Sequence, residues 1–164
     1  MKKIKPFASI LLLSLFLLCS CNSIKTVDYK EVSYGTEVDK LEEITGEKPN
    51  EEVKNEDEST SYVYKKSKIL DYTGTMSYCA LQGKILFSRW ETAAKTAEEG
   101  KDTYRTLCDH MQKQYGDGAE TTEGDTSNTM TYQGKNKTVI VAYLEQEGNY
   151  VVSITDMEQN PNNK

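Results

Sequence analysis

Thr75-Met76-Ser77-Tyr78-Cys79-Ala80-Leu81-Gln82-Gly83-Lys84-Ile85-Leu86-Phe87-Ser88-Arg89-Trp90 reads as two strands and the turn that joins them. Gln82-Gly83 is a two-residue hairpin signal, because such turns need positive φ and glycine takes it without steric cost. Upstream, Tyr62 and Tyr64 alternate with polar neighbours, and a period of two puts both on one side of a third strand. Residues 61–66, 75–81 and 84–90 therefore predict a three-stranded meander.

A second set of strands is predicted near the C-terminus, over residues 128–133, 137–145 and 149–156. Glu147-Gly148-Asn149 makes its last hairpin, and Tyr150, Val152 and Ile154 share one face. Between the two sets, Asp102 caps a helix that runs to Tyr115. Tyr104, Leu107, Cys108, Met111 and Tyr115 form its buried stripe, and Gly116 ends it. At about 100° per residue, His110 lies off that stripe, which argues against a catalytic histidine. The Ala-rich residues 91–99 extend a helix or form a connection before Gly100. Trp90, at a strand end, reads as core packing.

Ahead of the first meander, Thr36 is a candidate N-cap, and Glu37 and Asp39 fall in the first turn, where acids favour the helix dipole. Val38, Leu41 and Ile44 recur at helical spacing, and Gly46 and Pro49 stop the helix. Residues 47–60 and 117–127 are polar, acidic loops. Calcium is not expected in the first, which lacks ligand oxygens spaced around a turn glycine.

The order helix, glycine stop, acidic loop, three strands thus occurs twice. Leu41-Glu42-Glu43-Ile44-Thr45-Gly46 stands against Met111-Gln112-Lys113-Gln114-Tyr115-Gly116, and Tyr62 falls on Tyr132 at the same offset. The expected fold class is α+β, with two helix-plus-three-strand antiparallel repeats, about residues 33–91 and 102–157, packed as one domain. Tyr34-Gly35-Thr36, the helix over 38–44 and the exit Gly46-Glu47-Lys48-Pro49 resemble the β-lactamase-inhibitor-protein-like fold and the SmpA/OmlA-type small lipoproteins. The second exit, Gly116-Asp117-Gly118, lacks the proline. The resemblance implies a tandem helix–meander domain that binds protein partners without catalysis.

The chain opens Met1-Lys2-Lys3-Ile4-Lys5, followed by an apolar run over residues 7–18 and then Leu18-Cys19-Ser20-Cys21. Charge, apolar run and small residue in that order make an export signal. The stretch resembles a bacterial lipoprotein signal peptide over residues 1–20, with Cys21 as the lipid-bearing first mature residue. Cleavage before Cys19 would put bulky Leu18 where a small residue is needed. About 12 apolar residues fall short of the roughly 20 that span a bilayer, which disfavours an uncleaved anchor. Ordinary cleavage with Cys21 as a free thiol is the remaining alternative. Residues 21–32 read as a polar tether and residues 158–164 as a fraying tail.

Removing residues 1–20 leaves 17 basic residues (20 less three) against 26 acidic, a net charge of −9. Such a chain repels phosphate backbones, so nucleic acid is not an expected partner. Cys79 and Cys108 remain for an oxidising compartment, where a disulfide between them can persist; two buried free thiols are the alternative. If they are bridged, the Ser77, Cys79 and Leu81 face lies under the helix, and Met76, Tyr78 and Ala80 face away. Two cysteines and the single His110 cannot close a four-ligand zinc site.

No Gly-x-Ser-x-Gly or His-Glu-x-x-His motif is present, and neither catalytic residues, metal nor cofactor are expected. Eleven tyrosines, several on or beside strands, suggest instead a contact surface that includes Tyr62, Tyr78 and Tyr132. The expected function is that of a lipid-anchored, outward-facing protein-binding module with an envelope or extracellular protein as partner. The alternative is a structural or assembly lipoprotein of the cell envelope.

Overall fold

A computed structural model describes residues 24–122 and 124–158. The expected signal peptide over 1–20, the lipidation site Cys21 and most of the expected tail lie outside the described residues. The elements run β1 (Val27–Asp28), a 3-10 turn (Val38–Lys40), α1 (Leu41–Thr45), β2 (Glu51–Lys54), β3 (Thr60–Ile69), β4 (Tyr72–Leu81) and β5 (Lys84–Ala94). After these come α2 (Ala97–Tyr115), β6 (Ala119–Thr122), β7 (Ser127–Gln133), β8 (Lys137–Gln146) and β9 (Asn149–Glu158). All nine strands join one sheet in the order β1-β3-β4-β5-β9-β8-β7-β6, with β2 also beside β3. Among the described residues, only β1 runs parallel to its neighbour.

The predicted hairpins form where the glycines put them. Gln82 and Gly83 take φ of 51° and 75°, and Glu147 and Gly148 take 52° and 77°. Positive φ at both central residues matches the right-handed twist of the flanking strands. The strands run further than local pattern predicts. β3 continues past a register shift at Lys65 and Lys66, because Ser67 and Ile69 beyond it are buried. Residues 91–94 are strand rather than helix, since Glu91 pairs with Ser153 and Ala94 with Tyr150 on β9.

The expectation of two helix-plus-three-strand repeats is corrected. A single large sheet dominates, and its helices are a five-residue α1 and a nineteen-residue α2. The predicted first helix opens as the 3-10 turn Val38–Lys40 and is α-helical only over Leu41–Thr45, while the residues just ahead of it bond to the sheet. Gly35 donates to Ile85, Ile85 donates to Thr36, each at 2.8 Å, and Val38 donates to Gly83 at 3.0 Å. Backbone held extended in this way cannot also close helical rings, so Thr36 caps nothing. The stop falls where expected, with Gly46 left-handed at φ 77°.

α2 is capped at Thr96, six residues before the Asp102 expected to cap it. Thr96 accepts a hydrogen bond from the Glu99 amide at 3.1 Å, and the Glu99 carboxylate accepts from the Lys95 amide at 2.8 Å. That exchange satisfies the Glu99 amide, which the first turn would leave orphaned, and ties down the Lys95 amide just ahead of the cap. Gly100 does not stop the helix. It lies against the sheet, where a Cβ would come 2.7 Å from the Tyr143 ring.

The core lies on one face of the sheet. Cross-strand pairing builds the row Tyr64, Met76, Trp90, Ile154, Val141 and Met130 across six strands. Trp90 is wholly buried, and its indole donates to the Ser67 carbonyl at 3.2 Å. Gly74 sits on that ring, where a Cβ would be 2.7 Å from two of its carbons. α2 covers the β9–β8–β7 side with Leu107, Cys108 and Met111. Residues 27–45 cover the β3–β4 side with Val27, Tyr29 and Leu41. The polar tether expected over residues 21–32 is therefore corrected from Val27 onward, since that stretch is part of the fold.

Candidate functional site

The two coverings meet at a polar cluster. The Lys137 ammonium, on β8, lies 2.6 Å from Glu31 Oε2 and 2.9 Å from Asp156 Oδ2 on β9. Tyr115, at the end of α2, donates its hydroxyl to Glu31, and the Gln114 amide reaches the same oxygen at 3.2 Å. The Lys137 ammonium also sits 5.5 Å from the centre of the Tyr115 ring. Tyr29 and Ser88 bury hydroxyls without hydrogen-bond partners among the described residues.

Charge in this cluster is mutually stabilised. Burial alone would raise the Glu31 carboxyl, but hydrogen bonds from Lys137, Tyr115 and Gln114 outweigh it and hold it below its ordinary value. Burial likewise disfavours the Lys137 charge, yet its bonds to Glu31 and Asp156 win and raise its pKa. Burial, then the bond to Glu31, pushes the Tyr115 phenol up to about 12. Burial also raises Tyr29 well above the usual phenol, with Asp156 and Glu31 adding to it. General acid–base work favours a pKa near the operating pH, and every one of these shifts leads away from neutrality. The cluster fastens residues 29–31 to β8, β9 and the end of α2.

The tyrosines expected on a contact surface lie elsewhere. Tyr62, Tyr78, Ser88, Asp156, Val139 and Tyr132 form one cross-strand row on the covered face. Tyr78 and Tyr132 are only 1% and 2% exposed, and their hydroxyls donate to the carbonyls of Lys30 and Cys108. Tyr62 is half-buried at the margin of the same core. That surface assignment is corrected: the tyrosines have an aromatic body to bury and a hydroxyl that needs a partner, and the core supplies both.

The structure does not bridge Cys79 to Cys108, and both are buried. Cys108 faces the sheet from α2 within the core cluster, whereas Cys79 points to the opposite face. Met76, Tyr78 and Ala80 are thus the residues of β4 turned toward the core. His110 is half-buried on α2. Among the described residues no group of three or more His, Cys, Asp or Glu could hold a metal ion, and no helix is long and apolar enough to cross a membrane.

Among the described residues, no helix covers the second face of the sheet. Its central row runs Val63, Ser77, Arg89, Thr155, Ile140 and Thr131. The next row includes Cys79, Phe87, Met157 and Thr138, with Met157 37% exposed. Arg89 pairs with Glu91 along β5 at 3.1 Å. This broad surface, mixed in hydroxyl, apolar and charged groups, escaped the sequence reading because the tyrosines drew attention to the wrong side of each strand. The alternation of hydroxyl residues with large core residues was its available signal. A groove of about 420 Å³ lies between α2 and β7, lined by Tyr104, Arg105, Cys108, Asp109, Met130 and Tyr132 among others. No family model matches the chain, and neither a curated protein nor a solved structure matches it.

Proposed function

We propose that the chain is an extracytoplasmic lipoprotein, anchored to the cell membrane through lipid on Cys21, that binds an envelope or extracellular protein without catalysis. The observation that supports binding is the helix-free sheet face. It offers six adjacent strands with Arg89, Ile140 and Thr155 at its centre, whereas the other face is filled by α2 and residues 27–45. Interfaces of this kind combine scattered apolar contacts with hydrogen-bonding groups. The lipid anchor is supported by the charge–apolar–small order ahead of Cys21.

Photo-crosslinking in intact cells tests the reading. A crosslinker at Arg89 or Ile140 is expected to trap one discrete protein, and a crosslinker at Lys113, exposed on α2, is expected not to. Equal capture from both faces, or none from the sheet face, overturns it. Mass spectrometry of the N-terminal peptide tests the anchor: an unmodified Cys21 removes that part of the proposal.

A further inference from the structure

The chain enters the fold at one lateral edge of the sheet. Lys25 pairs with Glu47 at 2.5 Å, and Val27 and Asp28 already pair with Ser67 and Lys68 of β3. Only three residue steps separate Ile24 from Cys21, and an extended chain covers about 11 Å in three residues. Lipid on Cys21 therefore lies within about 11 Å of Ile24. β7 lies five strands beyond β3, about 24 Å further at the usual strand spacing. The β1–β3 edge is the one held near the bilayer.

That edge carries three lysines close together in an acidic chain. Lys65, Lys66 and Lys68 fall within four residues of β3 and are all exposed. Lys65 pairs with Glu51, whereas no carboxylate among the described residues pairs with Lys66 or Lys68. Both lie at or beyond the register shift, where the chain turns Ser67 and Ile69 inward and the lysines outward. Leu70 follows at the hairpin tip, 47% exposed and at φ 53°, a backbone region that branched side chains seldom adopt. Lysines close to an anionic membrane each add on the order of fivefold in affinity.

We propose that the β1–β3 edge, through Lys66 and Lys68, rests on anionic phospholipid headgroups and fixes the orientation of the sheet on the membrane. The proposal depends on lipid at Cys21, which intact mass measures separately. The full lipoprotein is placed in vesicles containing phosphatidylglycerol or only phosphatidylcholine. A fluorophore is attached at T73C, beside Lys68 across the β3–β4 hairpin, or at T126C, just before β7. Quenchers carried on lipid headgroups report proximity. Quenching several-fold stronger at position 73 than at position 126 is expected with phosphatidylglycerol. Lys66→Gln with Lys68→Gln should lower that ratio by about twofold or more, with little change in phosphatidylcholine. Absence of lipid on Cys21 defeats the anchor itself. With lipid present, equal quenching at the two positions, or a ratio indifferent to the lysines and to lipid charge, overturns the proposal.

Discussion

The β3–β4 side of the sheet and the β9–β8–β7 side have their inner faces covered by different means. On the second, α2 supplies a regular stripe, Tyr104, Leu107, Cys108 and Met111, and satisfies its own backbone. On the first, residues 27–45 bury Val27, Tyr29 and Leu41 with little helix. Their backbone finds its partners in the sheet: the Tyr29 amide donates to Lys68, Gly35 to Ile85 and Val38 to Gly83. Tyr78 donates to Lys30, and the Glu31 cluster closes the end. A sheet face thus needs apolar side chains over it; a helix is one way to deliver them. The irregular covering depends on tertiary bonds, so it is expected to open locally before the helix does.

The largest test compares Leu107 with Leu41, both at most 1% exposed. Leu107→Ala should cost about 2–5 kcal/mol of global stability in denaturant unfolding. Leu41→Ala should act locally, speeding amide exchange at Gly35 and Val38 more than along β8. Uniform acceleration across the sheet would show that residues 27–45 belong to the same cooperative unit as α2.

Lys137→Met attacks the joint between the coverings. It removes the ammonium shared by the carboxylates of Glu31 and Asp156, and the expected cost is about 2–3 kcal/mol, moderated because Glu31 keeps its bonds from Tyr115 and Gln114 and stays 35% exposed. Restoring most of that stability with a second change, Glu31→Gln, would indicate that charge and not packing was lost. Thr96→Ala should cost about 1 kcal/mol by removing the α2 cap and leave exchange in residues 27–45 unchanged.

Acid is the mildest probe. Glu31 has its pKa lowered on folding, so its contribution is present above its ordinary value of 4.5 and is lost as pH falls through the lower folded value. Lys137 has its pKa raised, so its contribution is full below the ordinary lysine value and lost only in strong alkali. Below about pH 4.5, exchange in residues 29–38 should therefore rise before that in α2. Simultaneous opening of both would remove the contrast between them.

Hairpins and core-facing alternation were legible from local chemistry. Gly83 and Gly148 permit the turns, and Val152 and Ile154 keep the period that a half-buried strand requires. The stripe of α2 was legible from 3.6-residue spacing for the same reason. Gly100 misled because a glycine that ends a helix and one that admits a neighbouring ring look alike in sequence; the Tyr143 ring, 43 positions away, decides which it is. Glu91-Thr92-Ala93-Ala94 misled because helix propensity is weak beside pairing with β9. Tyr62, Tyr78 and Tyr132 showed the strands correctly but not which side faced out.

By itself, the sequence determined where the chain turns and which residues alternate inward. Those are short-range properties, set by φ, by side-chain period and by composition. Tertiary structure alone decided that residues 27–45 close over the sheet, that β9 joins β5, and that Glu31, Tyr115, Lys137 and Asp156 meet. The partners in each case are distant along the chain, and only the buried surface and hydrogen bonds they share bring them together.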